Sequence, residues 1–258
     1  MQSAEFISKT FWLPLAPFGF THSFFNVDAE IITYTWITLG FLAILLVGAR
    51  YALTKKNGIA RYLVLTYVES FKQLSEQTFE GFYANHFYFI SALFTFILLS
   101  NSISIIPWLE EPTKDLNTTL ALSVISFVYI QAYAIQTHGF FSYMKEYFSP
   151  LFLMFPLNVV GKLATIVSMS FRLFGNIYGG ATIGSIFFNL IRSSLSLDTL
   201  AITTGIKFTG LFVFGTAINL TIVMFFGLFE GFIQAFVFSM LALTYLSTAI
   251  RKDSEELA

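Results

Sequence analysis

The sequence predicts an all-α polytopic membrane protein with five transmembrane helices plus one amphipathic surface helix, ending in a long tilted helical hairpin. Three observations lead there. The 258 residues are 56% hydrophobic and only 11% charged, against about 25% charged in a soluble domain. The apolar residues gather in charge-poor runs long enough to supply the roughly 20 residues that cross a bilayer. Two of these runs, within 147–192 and 199–250, are about twice a normal span.

Residues 1–30 form an outer N-terminal segment; 1–17 lack a basic n-region and a clean apolar run, so they do not read as a cleaved signal peptide. Span one is 31–50, uncharged to residue 49 and followed by Arg50, Lys55, Lys56 and Arg61. In 51–80, Val64, Val68, Phe71 and Leu74 recur at helical spacing, while Arg61, Glu69, Lys72, Glu76 and Glu80 supply polar faces. That pattern predicts an amphipathic helix at the membrane surface, with a soluble connector helix as the alternative. Spans two (81–109) and three (116–144) contain no Asp, Glu, Lys or Arg. Up to residue 191, the long helix 147–192 is interrupted only by Lys162 and Arg172, and in 199–250 the run 208–250 is interrupted only by Glu230. A helix of about 40 residues reaches roughly 60 Å, so each arm must tilt strongly or break in a hydrocarbon core of about 30 Å. Residues 251–258 form a tail. With no internal repeat, low-complexity segment or soluble unit, the chain reads as a single membrane domain over 1–258.

Loop charge predicts the orientation. Arg50, Lys55, Lys56, Arg61 and Lys72 follow span one, Lys145 follows span three, and Arg251 and Lys252 follow the last span; Glu110, Glu111, Asp115 and Asp198 lie in the other loops. The positive-inside rule puts the N-terminus outside and the C-terminus in the cytoplasm. A net charge of −1 argues against a nucleic-acid partner, and the absence of cysteine excludes disulfides and thiolate metal sites. His22, His86 and His138 are too dispersed for a ligand motif. No cofactor is expected.

The chemistry centres on Arg172. A guanidinium stays protonated in essentially any protein environment, and placing it near the bilayer centre costs about 2.5–3.5 kcal/mol on insertion scales. On a helix Ser168, Arg172, Gly175 and Gly179 fall on one stripe, extended by Gly161 and Ala164. Small residues on one face admit another helix, so the charge sits where a partner helix comes close. The competing reading is small-residue packing inside this chain, with the arginine paired to an internal acid. The last helix offers a second stripe, Gly227, Gly231, Gln234, Phe238 and Ala242, with Glu230 at its edge. In an antiparallel hairpin Gln234 can meet Arg172 and hold the guanidinium without neutralising it. Asn176 then lies about 6 Å further outward than Arg172, and Glu230 about 6 Å outward of Gln234. On the inner side Lys162 and Asn158 lie about 15 and 21 Å below Arg172. They mark a candidate inner mouth, although a snorkelling side chain is the favoured reading of Lys162.

Four motifs carry a resemblance. Ser170-Phe171-Arg172-Leu173-Phe174-Gly175-Asn176-Ile177-Tyr178-Gly179-Gly180 resembles the signature of subunit a of rotary F-type ATP synthases. Gln234-Ala235-Phe236-Val237-Phe238-Ser239-Met240-Leu241, followed by Tyr245-Leu246-Ser247, resembles its last helix. Pro112-Thr113-Lys114-Asp115-Leu116-Asn117-Thr118-Thr119-Leu120 and His138-Gly139-Phe140-Phe141-Ser142-Tyr143-Met144-Lys145 resemble the loops that flank its third span. The likeness covers about 84–248 well and the N-terminal third by architecture.

The resemblance implies a membrane stator that moves ions through two half-channels past a rotor ring of c subunits, with peripheral-stalk subunits alongside and ATP chemistry in partner subunits. Arg172 matches the family's essential arginine, and Asn176 and Gln234 match its polar companions. It further implies that Ser168, Gly175 and Gly179 face the rotor, that Asp115 stands at the outer half-channel mouth, and that Asn158 and Lys162 belong to the inner half-channel. Ala181 and Gly227 occupy positions where many relatives carry the ionisable pair of the outer half-channel, and Asn158 replaces a glutamate of several relatives. Glu230 is the nearest replacement. The proton is the expected ion, with Na⁺ as the alternative, and a bacterial inner membrane is preferred over an organellar one. Two other readings compete: a secondary transporter gripping an anionic substrate with its intramembrane arginine, and a structural subunit of another membrane complex. The first should show duplicated halves, and this chain has none. The second gives no reason for Arg172 and Gln234 on facing stripes.

Overall fold

A computed structural model describes residues 11–12, 27–79, 81–106, 109–148, 152–195, 213, 215, 217–218, 220–221 and 224–250. The all-α expectation holds. Among the described residues the only β pairing is a short antiparallel bridge between β1 (Phe11–Trp12) and β2 (Val27–Asp28). Helices α1 (Ala29–Thr54), α2 (Ile59–Phe79), α3 (Ala84–Ser102), α4 (Leu116–His138), α5 (Phe140–Tyr147), α6 (Phe155–Leu195) and α7 (Gly231–Ile250) follow in order. Among the described residues five helical stretches are long and apolar enough to cross a membrane: Ala29–Thr54, Ala84–Ile105, Leu116–His138, Phe152–Phe187 and Gly227–Ile250.

Local chemistry sets the breaks. At the end of α1, Arg61 Nη1 donates to the Lys55 carbonyl at 2.8 Å and to Leu53 O at 3.4 Å, covering carbonyls that a helix terminus leaves unpaired. Asp115 caps α4 by accepting from the Asn117 N–H at 3.1 Å. The expected third span, 116–144, is divided: Gly139 adopts φ +80°, its N–H closes α4 on Ile135 O, and the chain restarts as α5. Only glycine takes that backbone region without strain. In the second hairpin arm, expected over 199–250, residues 199–212 lie outside the described residues. Met224–Glu230 is a π-helical turn and the regular helix begins at Gly231.

The core is a four-helix layer. α7 packs most closely on α3, α4 packs on both α6 and α7, and α2 leans on α1, α3 and α7. Ile90, Leu93, Phe94 and Ile97 of α3 meet Leu122 of α4, Met169, Leu173 and Ile177 of α6, and Ala235, Phe238, Ala242 and Leu243 of α7. The sets on α3, α6 and α7 recur at helical spacing, as do Leu122, Ser126, Ile130 and Ala134 among the buried residues of α4, so each helix buries one stripe and leaves the rest to its surroundings. α1 is the extreme case. Only Thr38 and Ala52 are buried, and Trp36, Ile44 and Val47 are each about 70% exposed, as suits a helix sheathed by lipid. On α2 the expected stripe is shifted. Val68 is exposed, and Tyr67 joins Val64, Phe71 and Leu74 on the inner face, where its hydroxyl bonds Ser91 O at 3.0 Å and Thr95 Oγ1 at 2.6 Å on α3.

Candidate functional site

α6 has two unlike faces around Arg172. Met169, Ser170, Leu173, Ile177 and Gly180 are buried, while Ser168, Arg172 and Gly175 are exposed and Asn176 and Gly179 half-buried. The Ser170 hydroxyl pairs with Thr119 Oγ1 of α4 at 3.0 Å. That pair fixes the rotation of α6 two residues before the arginine and turns the arginine face outward. A Cβ added at Gly161, Gly175 or Gly179 would meet nothing within 4 Å. The predicted small-residue stripe is therefore open in this chain. Among the described residues no acid lies within ion-pair distance of the guanidinium and nothing is hydrogen-bonded to it. The reading in which an internal acid neutralises Arg172 finds no such acid among the described residues.

The crossing of α6 and α7 brings Arg172 and Gln234 together, but not as the sequence suggests. Gln234 Nε2 donates to the backbone carbonyl of Arg172 at 3.1 Å. The glutamine is nearly buried, at 4% exposure, and it grips the backbone that carries the arginine, leaving the guanidinium to reach outward. The second stripe is closed: Gly227, Gly231, Gln234, Phe238 and Ala242 are all buried. A Cβ on Gly231 would come within 2.9 Å of Asn101 Cβ, and one on Gly227 within 3.2 Å of Ser104 Oγ. Glu230, the last residue of the π turn, is half-buried, with no base in ion-pair distance among the described residues.

Asn158 and Lys162 share the wall of a cavity of about 590 Å³ with Gln131, Tyr147, Thr165 and Tyr245, between α4, α6 and α7 at the α5 end of the bundle. Thr165 is two helical turns from Arg172, so the cavity approaches the arginine from that side. Asn158 Nδ2 donates to Tyr147 O at 2.9 Å, and Lys162 Nζ stands 6.0 Å from the centre of the Tyr147 ring. Both therefore also tether the end of α5. Asp115, expected at the opposite mouth, is half-buried and serves as the α4 cap.

Sequence reasoning gave no part to Asn101, nor individual parts to Thr113 and Thr119. All three are fully buried and bonded across helices or turns. Their signal is a polar side chain within or beside an apolar span, where interhelical hydrogen bonding is the usual use.

Comparison with known proteins identifies the family. The family described as ATP synthase A chain matches residues 32–247. ATP synthase subunit a of Syntrophobacter fumaroxidans is 32% identical over 228 residues, 85% of this chain and 83% of its own length. Subunit a of Moorella thermoacetica is 31% identical over 222 residues, 85% of this chain and 89% of its own. ATP synthase subunit a 2 of a Picosynechococcus strain is 30% identical over 240 residues, covering 89% of each chain. Matched over residues 32–247 by the family model and at 30–32% identity over most of its length by these relatives, this integral membrane chain belongs to the ATP synthase A chain family.

Proposed function

We propose that this chain is the ion-translocating stator subunit of a rotary F-type ATP synthase, with Arg172 as the fixed charge that the rotor passes. The observation that carries the proposal is the exposed arginine on an open small-residue face, held through its backbone by Gln234 and without an acid partner among the described residues. A rotor subunit with a membrane carboxylate must be neutral to face lipid, and beside a fixed guanidinium the ionised form is favoured. Ions then load on one side of Arg172 and leave on the other. One elementary charge crossing 100 mV releases about 2.3 kcal/mol, so several ions drive each synthesis event. The chain itself supplies no ATP chemistry.

Ser168, Gly175 and Gly179 are the rotor-facing surface, and the c ring and peripheral stalk are the partners. The cavity holding Asn158 and Lys162 is the inner half-channel. Asn176 and Glu230 line the outer one, with Asp115 toward its mouth. The whole chain acts as one membrane domain, the α2–α5 end cytoplasmic and the N-terminus outside, in a bacterial inner membrane. A secondary transporter is disfavoured by the missing repeat and by the family.

Arg172→Ala in the assembled complex, reconstituted in vesicles, should abolish ion-driven ATP synthesis and raise passive leak. Arg172→Lys should fail as well, because an ammonium can lose its proton when buried and lacks the planar fork. Normal synthesis by Arg172→Ala would end the proposal. Synthesis with and without Na⁺ tests the assignment of the proton as the ion.

A further inference from the structure

We propose that Asn101 and Thr113 form a positioning clamp that sets the register of the start of α7, and with it Glu230 and Gln234, against Arg172. The inference rests on the function proposed above and assigns a role to two buried residues that the proposed function does not use.

Asn101 Nδ2 donates to the Gly231 carbonyl at 3.0 Å, and Thr113 Oγ1 donates to Asn101 Oδ1 at 2.7 Å. Both side chains are 0% exposed. The chemistry fixes the order of the relay. A backbone carbonyl only accepts, so the amide nitrogen must face Gly231, and the amide oxygen is left for the threonine hydroxyl. Without that hydroxyl the buried amide oxygen loses its partner and the amide is held by the Gly231 carbonyl alone.

The position of the clamped carbonyl matters. Gly231 follows the π turn Met224–Glu230 and opens α7. A π turn departs from the α-helical bonding pattern, and such turns are uncommon and cluster at functional sites. Where a helix changes register, a side-chain donor on the first regular carbonyl favours one placement of the junction over its neighbours. Glu230 precedes the clamped residue and Gln234 follows it by one turn. A slip of one residue would move both by about 1.5 Å along the axis and about 100° around it, taking Gln234 Nε2 off the Arg172 carbonyl. Gly231 is what lets Asn101 reach the backbone, since a Cβ there would lie 2.9 Å from Asn101 Cβ. Thr113 in turn belongs to the 3₁₀ turn Pro112–Lys114, which packs on α1, α3, α4 and α6. The clamp thus references the α7 start to the frame of the bundle.

Thr113→Val keeps the volume and removes the hydroxyl; Thr113→Ser restores it. The test uses the assembled complex and a spin-label pair at Val167→Cys and Ile233→Cys, exposed positions in a chain with no other cysteine. In Thr113→Val the complex should assemble to the parental amount and the interlabel distance distribution should broaden. Without labels, ion-driven ATP synthesis should fall by at least about fivefold, because a displaced site group is costly. Thr113→Ser should return both readouts to the parental values, and Asn101→Asp, which sets an acceptor against the Gly231 carbonyl, should reproduce the loss. An unchanged distance distribution in Thr113→Val overturns the clamp, as does a parental synthesis rate with a broadened one. Failure of Thr113→Val and Thr113→Ala to assemble also overturns it, because a device that only sets register leaves the helices packed. Arg172→Ala run in parallel keeps the two claims apart: its synthesis rate judges the proposed function, and the label distances judge the clamp.

Discussion

Two stripes of small residues run along the two arms of the hairpin. On α6 the stripe through Ser168, Gly175 and Gly179 is open, and a Cβ at either glycine meets nothing within 4 Å. On the other arm the stripe through Gly227 of the π turn and Gly231 of α7 is closed against α3 and the turn that follows it, with Asn101 and Ser104 where new Cβ atoms would go. The same sequence signal has thus been used in two ways. Small residues report that something comes close, and they do not report what. On α7 the close neighbour is this chain's own α3. On α6 no described residue fills the place, and the permanent charge of Arg172 stands in the middle of it.

The largest expected effect is on the closed stripe. Gly231→Leu must push α7 off Asn101, and overpacking of this kind costs about 1–3 kcal/mol or more. The complex should lose most of this subunit, measured as the amount recovered on purification and its thermal unfolding midpoint. Gly175→Leu should do the opposite to the chain alone, because leucine is favoured over glycine in a helix by roughly 0.5–1 kcal/mol. Equal loss of the chain in both variants would mean that the α6 stripe is also internal.

The second effect is on the open stripe in the assembled motor. A leucine at Gly175 should leave the subunit folded yet block most ATP synthesis if, as proposed, the rotor helix occupies the space into which the added side chain projects. Single cysteines at Ser168, Gly175 and Gly179 should cross-link to cysteines on the rotor helix. Cross-links found only within this chain would move the rotor surface elsewhere.

The difference between the stripes also marks where sequence reasoning ended. Arg172 and Gln234 were legible because a permanent charge and an amide in apolar runs have few uses. The spans were legible from length and charge. The partner of each stripe was not, because periodicity gives a face but no neighbour. Nor was the target of Gln234: the sequence suggests the guanidinium, whereas the amide bonds the Arg172 carbonyl at 3.1 Å. Asn101, Thr113 and Thr119 were passed over since Ser, Thr and Asn are common in membrane helices and only tertiary placement shows which are bonded across. The break at Gly139 was hidden because α4 and α5 are both free of Asp, Glu, Lys and Arg up to Met144.

The smallest effect concerns Glu230, at the edge of the closed stripe. It ends the π turn, is half-buried, and has no base within ion-pair distance among the described residues. A carboxylate placed only to stabilise packing would be expected to have such a partner. Ala181 and Gly227 cannot titrate, and a Cβ at Gly227 would already press on Ser104 Oγ at 3.2 Å, so a larger ionisable group there would push on the turn that follows α3. On the proposed path, Glu230 is then the nearest group able to load an ion one turn outward of Gln234. Glu230→Gln keeps shape and hydrogen bonding and removes titration. Assembly should be unchanged, and proton-driven synthesis should slow by about tenfold, within the range given by removing one acid–base group. The Ala181→Glu exchange in that background should recover part of the rate, because Ala181 lies on α6 and is only half-buried. Parental pumping by Glu230→Gln from mildly acidic to mildly alkaline pH would take Glu230 out of the path and leave the outer route to water and Asn176.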